Sequence, residues 1–110
     1  MEILLHEQGR FSVVAPRSRL DTGTAPETQQ QLSALLDRGV RQIVVDFSEV
    51  AYVASAGLRV LLSTAKRIRA SGGELRVCCL NETVREVFDI SGFSELLPVF
   101  ASVGDAVREA

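Results

Sequence analysis

Apolar positions change their period several times along this chain, and each change marks an element. Ile3 to Leu5 and Phe11 to Ala15 are short apolar runs separated by Glu7, Gln8 and Gly9, which predicts an opening hairpin whose second strand is limited or bent by Pro16. Thr24, Ala25 and Pro26 start a helix with Leu32, Leu35 and Leu36 on its inward face, and Gly39 ends it. The unbroken Ile43, Val44, Val45 run within Arg41 to Phe47 fits a strand covered on both faces, which implies parallel pairing. A short polar link then leads to a helix from about Ala56 to Ala70, where Leu58, Leu61, Leu62, Ala65 and Ile68 recur at helical spacing before Ser71, Gly72 and Gly73 stop it. Leu75 to Leu80 reads as another buried strand. Asn81 is placed to cap a helix carrying Val84, Val87 and Phe88, Gly92 breaks that helix, Leu96 to Phe100 reads as a strand, and Ser102 to Glu109 closes as a helix.

The alternation predicts an α/β fold: a mostly parallel or mixed sheet of about five strands with about four helices, joined by right-handed crossovers. A chain of 110 residues that is 46% apolar and 24% charged fills one core, so residues 1–110 are expected to form a single domain. A formal net charge of -2 argues against a nucleic-acid binder. The apolar runs fall short of the roughly 18 residues that cross a bilayer, and MEILLHEQGR has no basic segment before an apolar signal core, so the expectation is a cytoplasmic protein without a membrane partner.

Candidate chemistry concentrates in Ile43 to Leu62, IVVDFSEVAYVASAGLRVLL. There a strand delivers Ser55 to the mouth of a helix, flanked by Ala54 and Ala56 and followed by Gly57, small neighbours that leave its hydroxyl accessible. A plain N-cap role for Ser55 and a modified serine are both compatible with this setting, since a capping hydroxyl is also exposed. The segment lacks the paired glycines of a nucleophile elbow, the only histidine is His6, and no GxxxxGK[ST] phosphate loop occurs, so neither an enzyme nor a resident cofactor is expected. Cys78 and Cys79 match no spaced zinc pattern and read as small buried hydrophobes, and no metal is expected. Arg59, Lys66, Arg67 and Arg69 follow Ser55, with no acidic residue between Val50 and Gly73, and form either a solvated helix face or a docking face for an acidic partner.

Three stretches carry a resemblance that covers nearly the whole chain: RLDTGTA from Arg19, DFSEVAYVASAGLRVLL, and LNETVREVFDISGF. Together they resemble the STAS domain family, and within it the single-domain anti-sigma factor antagonists. The resemblance places the family's phosphorylated serine on Ser55, its acidic loop residue on Asp21 and its strand-end aspartate on Asp46. It implies a partner-binding surface made of Asp21, Thr22, Asp46, Ala54, Ala56, Gly57, Leu58 and Arg59, with Asp21 beside Ser55 and able to orient its hydroxyl. Two departures stand out. Ala54 and Ala56 replace the acidic or second serine residue found in many relatives, leaving Ser55 as the motif's acceptor, and Ser18 replaces a glycine three residues before the loop aspartate.

The resemblance implies a partner switch. A serine kinase that doubles as the anti-sigma factor phosphorylates the antagonist from ATP and a serine phosphatase reverses this, while the free antagonist is expected to be a monomer. STAS domains also serve as unphosphorylated docking subunits of ABC-type lipid transporters, which is the alternative.

Overall fold

The structure is a computed structural model that describes residues 3–108. The opening hairpin is present: β1 (Ile3–Gln8) and β2 (Phe11–Pro16) pair antiparallel, and the turn is made at Gly9, whose φ of +61° suits glycine. A strand that the apolar pattern does not signal follows one residue after Pro16, β3 (Ser18–Leu20). Helix α1 (Ala25–Asp37) buries Leu32, Leu35 and Leu36, the face expected from their spacing. The strand expected over Arg41 to Phe47 is β4 (Gln42–Asp46), and its Ile43, Val44 and Val45 are fully buried.

The segment expected to be a polar link contains a second unforeseen strand, β5 (Val50–Val53), followed by α2 (Ser55–Ala70). Next come β6 (Glu74–Cys78), shorter than the Leu75 to Leu80 expected, and α3 (Glu82–Ser91). Asn81 caps α3 as anticipated, its Oδ1 accepting the Val84 N–H at 2.7 Å. Gly92, with φ +81°, ends α3 and opens a short helix α4 (Phe93–Leu96). Part of the strand expected over Leu96 to Phe100 is therefore helical, and β7 is only Val99–Phe100. The last helix, expected over Ser102 to Glu109, is α5 (Val103–Ala106), and Glu109 lies outside the described residues.

The main sheet has the order β1-β2-β4-β6-β7, parallel except for β1, while β3 and β5 form a separate parallel pair. Register divides the core in two. Val14, Val45 and Val77 are aligned across β2, β4 and β6 and join Leu32, Leu61, Ile68 and Phe88 from the helices. Their neighbours Val13, Val44 and Cys78 belong to a smaller cluster with Phe11 and Ala106, so α5 covers the other face. Arg76 spans that second cluster, its guanidinium 4.7 Å from the Phe11 ring centroid and donating to the Ala106 carbonyl at 2.7 Å. The sheet thus has helices on both faces, the arrangement that a mostly parallel sheet requires.

Candidate functional site

The small β3–β5 pair builds the site. Parallel pairing sets Leu20 beside Val53, and the Ala54 N–H then donates to the Leu20 carbonyl at 2.8 Å. Gly57, the third residue of α2, faces this junction without a side chain. A Cβ there would fall 2.8 Å from the Leu20 Cβ and 3.0 Å from its carbonyl oxygen. These two contacts hold the loop that follows Leu20 against the first turn of α2.

Ser55 is exposed and is the first residue of that helix. Of the two readings left open for Ser55, the N-cap is not the one the structure shows: the cap position belongs to Ala54, which is extended at φ −101° and ψ 173°. The Ala54 carbonyl accepts from the Gly57 and Leu58 amides at 2.9 and 3.1 Å, but its methyl group satisfies no orphan N–H, and the first turn holds no acidic residue. The positive end of a sixteen-residue helix is therefore uncompensated by its own side chains and lies beside an exposed hydroxyl.

Asp21 organises the adjoining loop. Its Oδ1 accepts from the Gly23 and Thr24 amides at 3.0 and 3.2 Å, and its Oδ2 lies 3.0 Å from Arg19 Nε. Thr24 Oγ1 donates to the Arg19 carbonyl at 2.7 Å and accepts the Asp21 N–H at 3.0 Å. The carboxylate described as a candidate for orienting Ser55 is thus taken up by residues 19–24, while Thr22 is exposed at the loop tip. Ser18 has φ +75°, a left-handed conformation that glycine adopts without strain, and the register of the β3–β5 pair shifts between Ser18 and Arg19.

Leu58 is half-buried and packs on the core, whereas Arg59 is exposed. Arg59 lines an open groove of about 500 Å³ with Leu62, Ser63, Lys66 and Arg67. Part of the basic face is structural: Arg67 pairs with Asp37 of α1, and Arg69 donates to the Leu96 carbonyl. Ala56 is half-buried at the helix entrance, and Tyr52, which the sequence reading passed over, is 47% exposed on β5 two residues before Ala54. No periodicity signals it, because β5 buries only its ends, Val50 and Val53.

Asp46 makes its contacts with Ser48, Cys78 and Cys79. Its Oδ1 accepts the Ser48 amide at 2.9 Å, and its carboxylate gathers with the Cys78 and Cys79 thiols. Burial, followed by the hydrogen bond and charge of Cys79, pushes the Cys78 thiol far above its ordinary range. Burial also raises Cys79, whose side chain is not fully enclosed as expected for a packing residue.

The STAS domain family model matches residues 2–106. A Bordetella bronchiseptica protein named as an anti-sigma factor antagonist, BtrV, is 44% identical over 80 residues, covering 73% of this chain and 69% of its own length. The anti-sigma-B factor antagonist of Staphylococcus aureus is 29% identical over 92 residues, 84% of this chain and 85% of its own. Among solved structures, the anti-sigma factor antagonist SpoIIAA in its unphosphorylated form aligns with a TM-score of 0.82 at 20% identity, over 96% of this chain and 93% of its own. The phosphorylated form of SpoIIAA, a Bacillus cell fate determinant, aligns at 0.75 and 19% identity, over 96% of both chains. No helix among the described residues is long and apolar enough to cross a membrane. Fold and the extent of the family match agree, and the chain belongs to the STAS domain family.

Proposed function

We propose that this chain is an anti-sigma factor antagonist whose unmodified form binds a serine kinase that is also the anti-sigma factor, and which lets go when that kinase phosphorylates Ser55. The Ser55 hydroxyl attacks the terminal phosphorus of ATP, ADP leaves, and the hydroxyl proton passes to the kinase. A serine phosphatase returns the chain to its binding state by hydrolysis. The observation that carries this reading is the exposed Ser55 in an uncapped, electropositive first turn, which accommodates a phosphate without unfolding the domain.

Magnitudes support a switch without a large movement. Phosphate adds about 1.5 to 2 negative charges. Two unit charges about 4 Å apart near a protein surface interact by roughly 4 kcal/mol, and about 1.4 kcal/mol is a tenfold change in affinity. Because Arg19 already pairs with Asp21, the repulsion that matters arises between the phosphate and the partner. The names of the Bordetella and Staphylococcus relatives, and the existence of SpoIIAA in both states, support the same reading.

The test is calorimetry with the proposed serine kinase partner. Wild type and Ser55→Ala bind, and Ser55→Asp binds more than about tenfold more weakly. Equal affinities for the two variants contradict the switch and favour a permanently docked subunit.

A further inference from the structure

The register of β4 against β6 pairs Asp46 with Cys78, so the two side chains leave the sheet on the same face, beside α5. Successive strand residues point to opposite faces, and Cys79 would normally point away. Instead Cys79 has φ +65°, a left-handed conformation that costs a non-glycine residue about 1–2 kcal/mol. This turn brings the Cys79 sulfur back to 3.4 Å from the Cys78 sulfur, and one carboxylate oxygen of Asp46 lies within 4.8 Å of both. The backbone is clamped in place: the Phe47 N–H donates to the Cys78 carbonyl at 3.0 Å, and the Cys79 N–H to the Phe100 carbonyl at 3.1 Å.

We propose that Asp46, Cys78 and Cys79 form a binding site for a thiophilic divalent cation of the Zn²⁺ class. The spacing fits. A tetrahedral cation holding two thiolates at about 2.3 Å separates them by about 3.8 Å, a small rotamer adjustment from the observed sulfur separation. Two sulfurs and one carboxylate oxygen are a borderline donor set that suits Zn²⁺, whereas Mg²⁺ and Ca²⁺ take oxygen donors. Asp46 and Cys79 are both only half-buried, which leaves an entry path and a solvent-facing fourth position for water.

Binding of the cation by the two thiolates releases the two thiol protons to the solvent. The site lies at the C-terminal end of β4.

The full chain, reduced beforehand, is titrated with Zn²⁺ against a chromophoric chelator, and with Co²⁺ to read the sulfur-to-cobalt absorption. The site predicts one cation per chain, about two protons released, and a loss of affinity of more than about tenfold in Cys79→Ser and in Asp46→Asn, both of which fold as judged by circular dichroism. His6→Ala binds as wild type. Absence of binding, absence of the thiolate–cobalt band, or unchanged affinity in both ligand variants overturns the proposal, as does loss of binding in His6→Ala alone.

Discussion

Gly57 packs so closely on Leu20 that a methyl group at residue 57 would reach within 2.8 Å of the Leu20 Cβ, and this contact seats the Asp21 loop beside Ser55. Gly57→Ala gains about 1 kcal/mol of helix propensity but must push β3 and its loop away from α2, at a cost of about 1–3 kcal/mol. The expected outcome is a net loss of about 1 kcal/mol in urea denaturation and weaker binding to the kinase. A variant as stable as wild type would show that the junction yields freely.

Ser18 adopts a backbone conformation that glycine takes without strain. Its N–H donates to the Glu49 carbonyl at 2.8 Å, a bond that survives loss of the side chain. Ser18→Gly therefore raises stability by about 0.5–1 kcal/mol after the greater entropy of unfolded glycine is set against the relieved strain. Thermal unfolding checks this, and a lower midpoint contradicts it.

Ala54 occupies a cap position with the right backbone and no acceptor. Ala54→Ser supplies one and stabilises the domain by about 1 kcal/mol, a rise in melting midpoint of about 4–8 °C. An unchanged midpoint would mean that the first-turn amides of α2 are already satisfied.

The long elements were legible because their burial is one-sided or complete over many residues: Leu61, Ala65 and Ile68 declare α2, and Ile43 to Val45 declare β4. The short ones were not. β3 has three residues and starts from a strained Ser18, and β5 buries only its ends, Val50 and Val53, so neither shows a period. Yet these two strands place the Asp21 loop, which is why Ser55 could be found from its neighbours while the commitment of the Asp21 carboxylate to Arg19, Gly23 and Thr24 could not. The meeting of Asp46 with Cys78 and Cys79 was equally hidden, because it depends on strand register and on the left-handed turn at Cys79.

The cysteines also predict a pH dependence. In the fold both thiols titrate above their ordinary 9.0, chiefly through burial, so the stability they confer is complete below pH 9 and is lost as pH rises. Above pH 9 the unfolded thiols ionise while the folded Cys78 stays protonated, and stability falls by about 1.4 kcal/mol per pH unit for each such group. Urea denaturation of the reduced protein at successive alkaline pH values should show this slope, and Cys78→Ala should flatten it. An equal slope in the variant would assign the loss to other groups.

The central claim concerns one oxygen atom, and mass spectrometry reads it directly. After incubation of the chain with ATP and the proposed serine kinase partner, the intact mass should rise by one phosphate, peptide mapping should place that phosphate on Ser55, and Ser55→Ala should stay unlabelled. A wild-type chain that gains no phosphate, or a Ser55→Ala variant labelled to the same extent, would contradict the account.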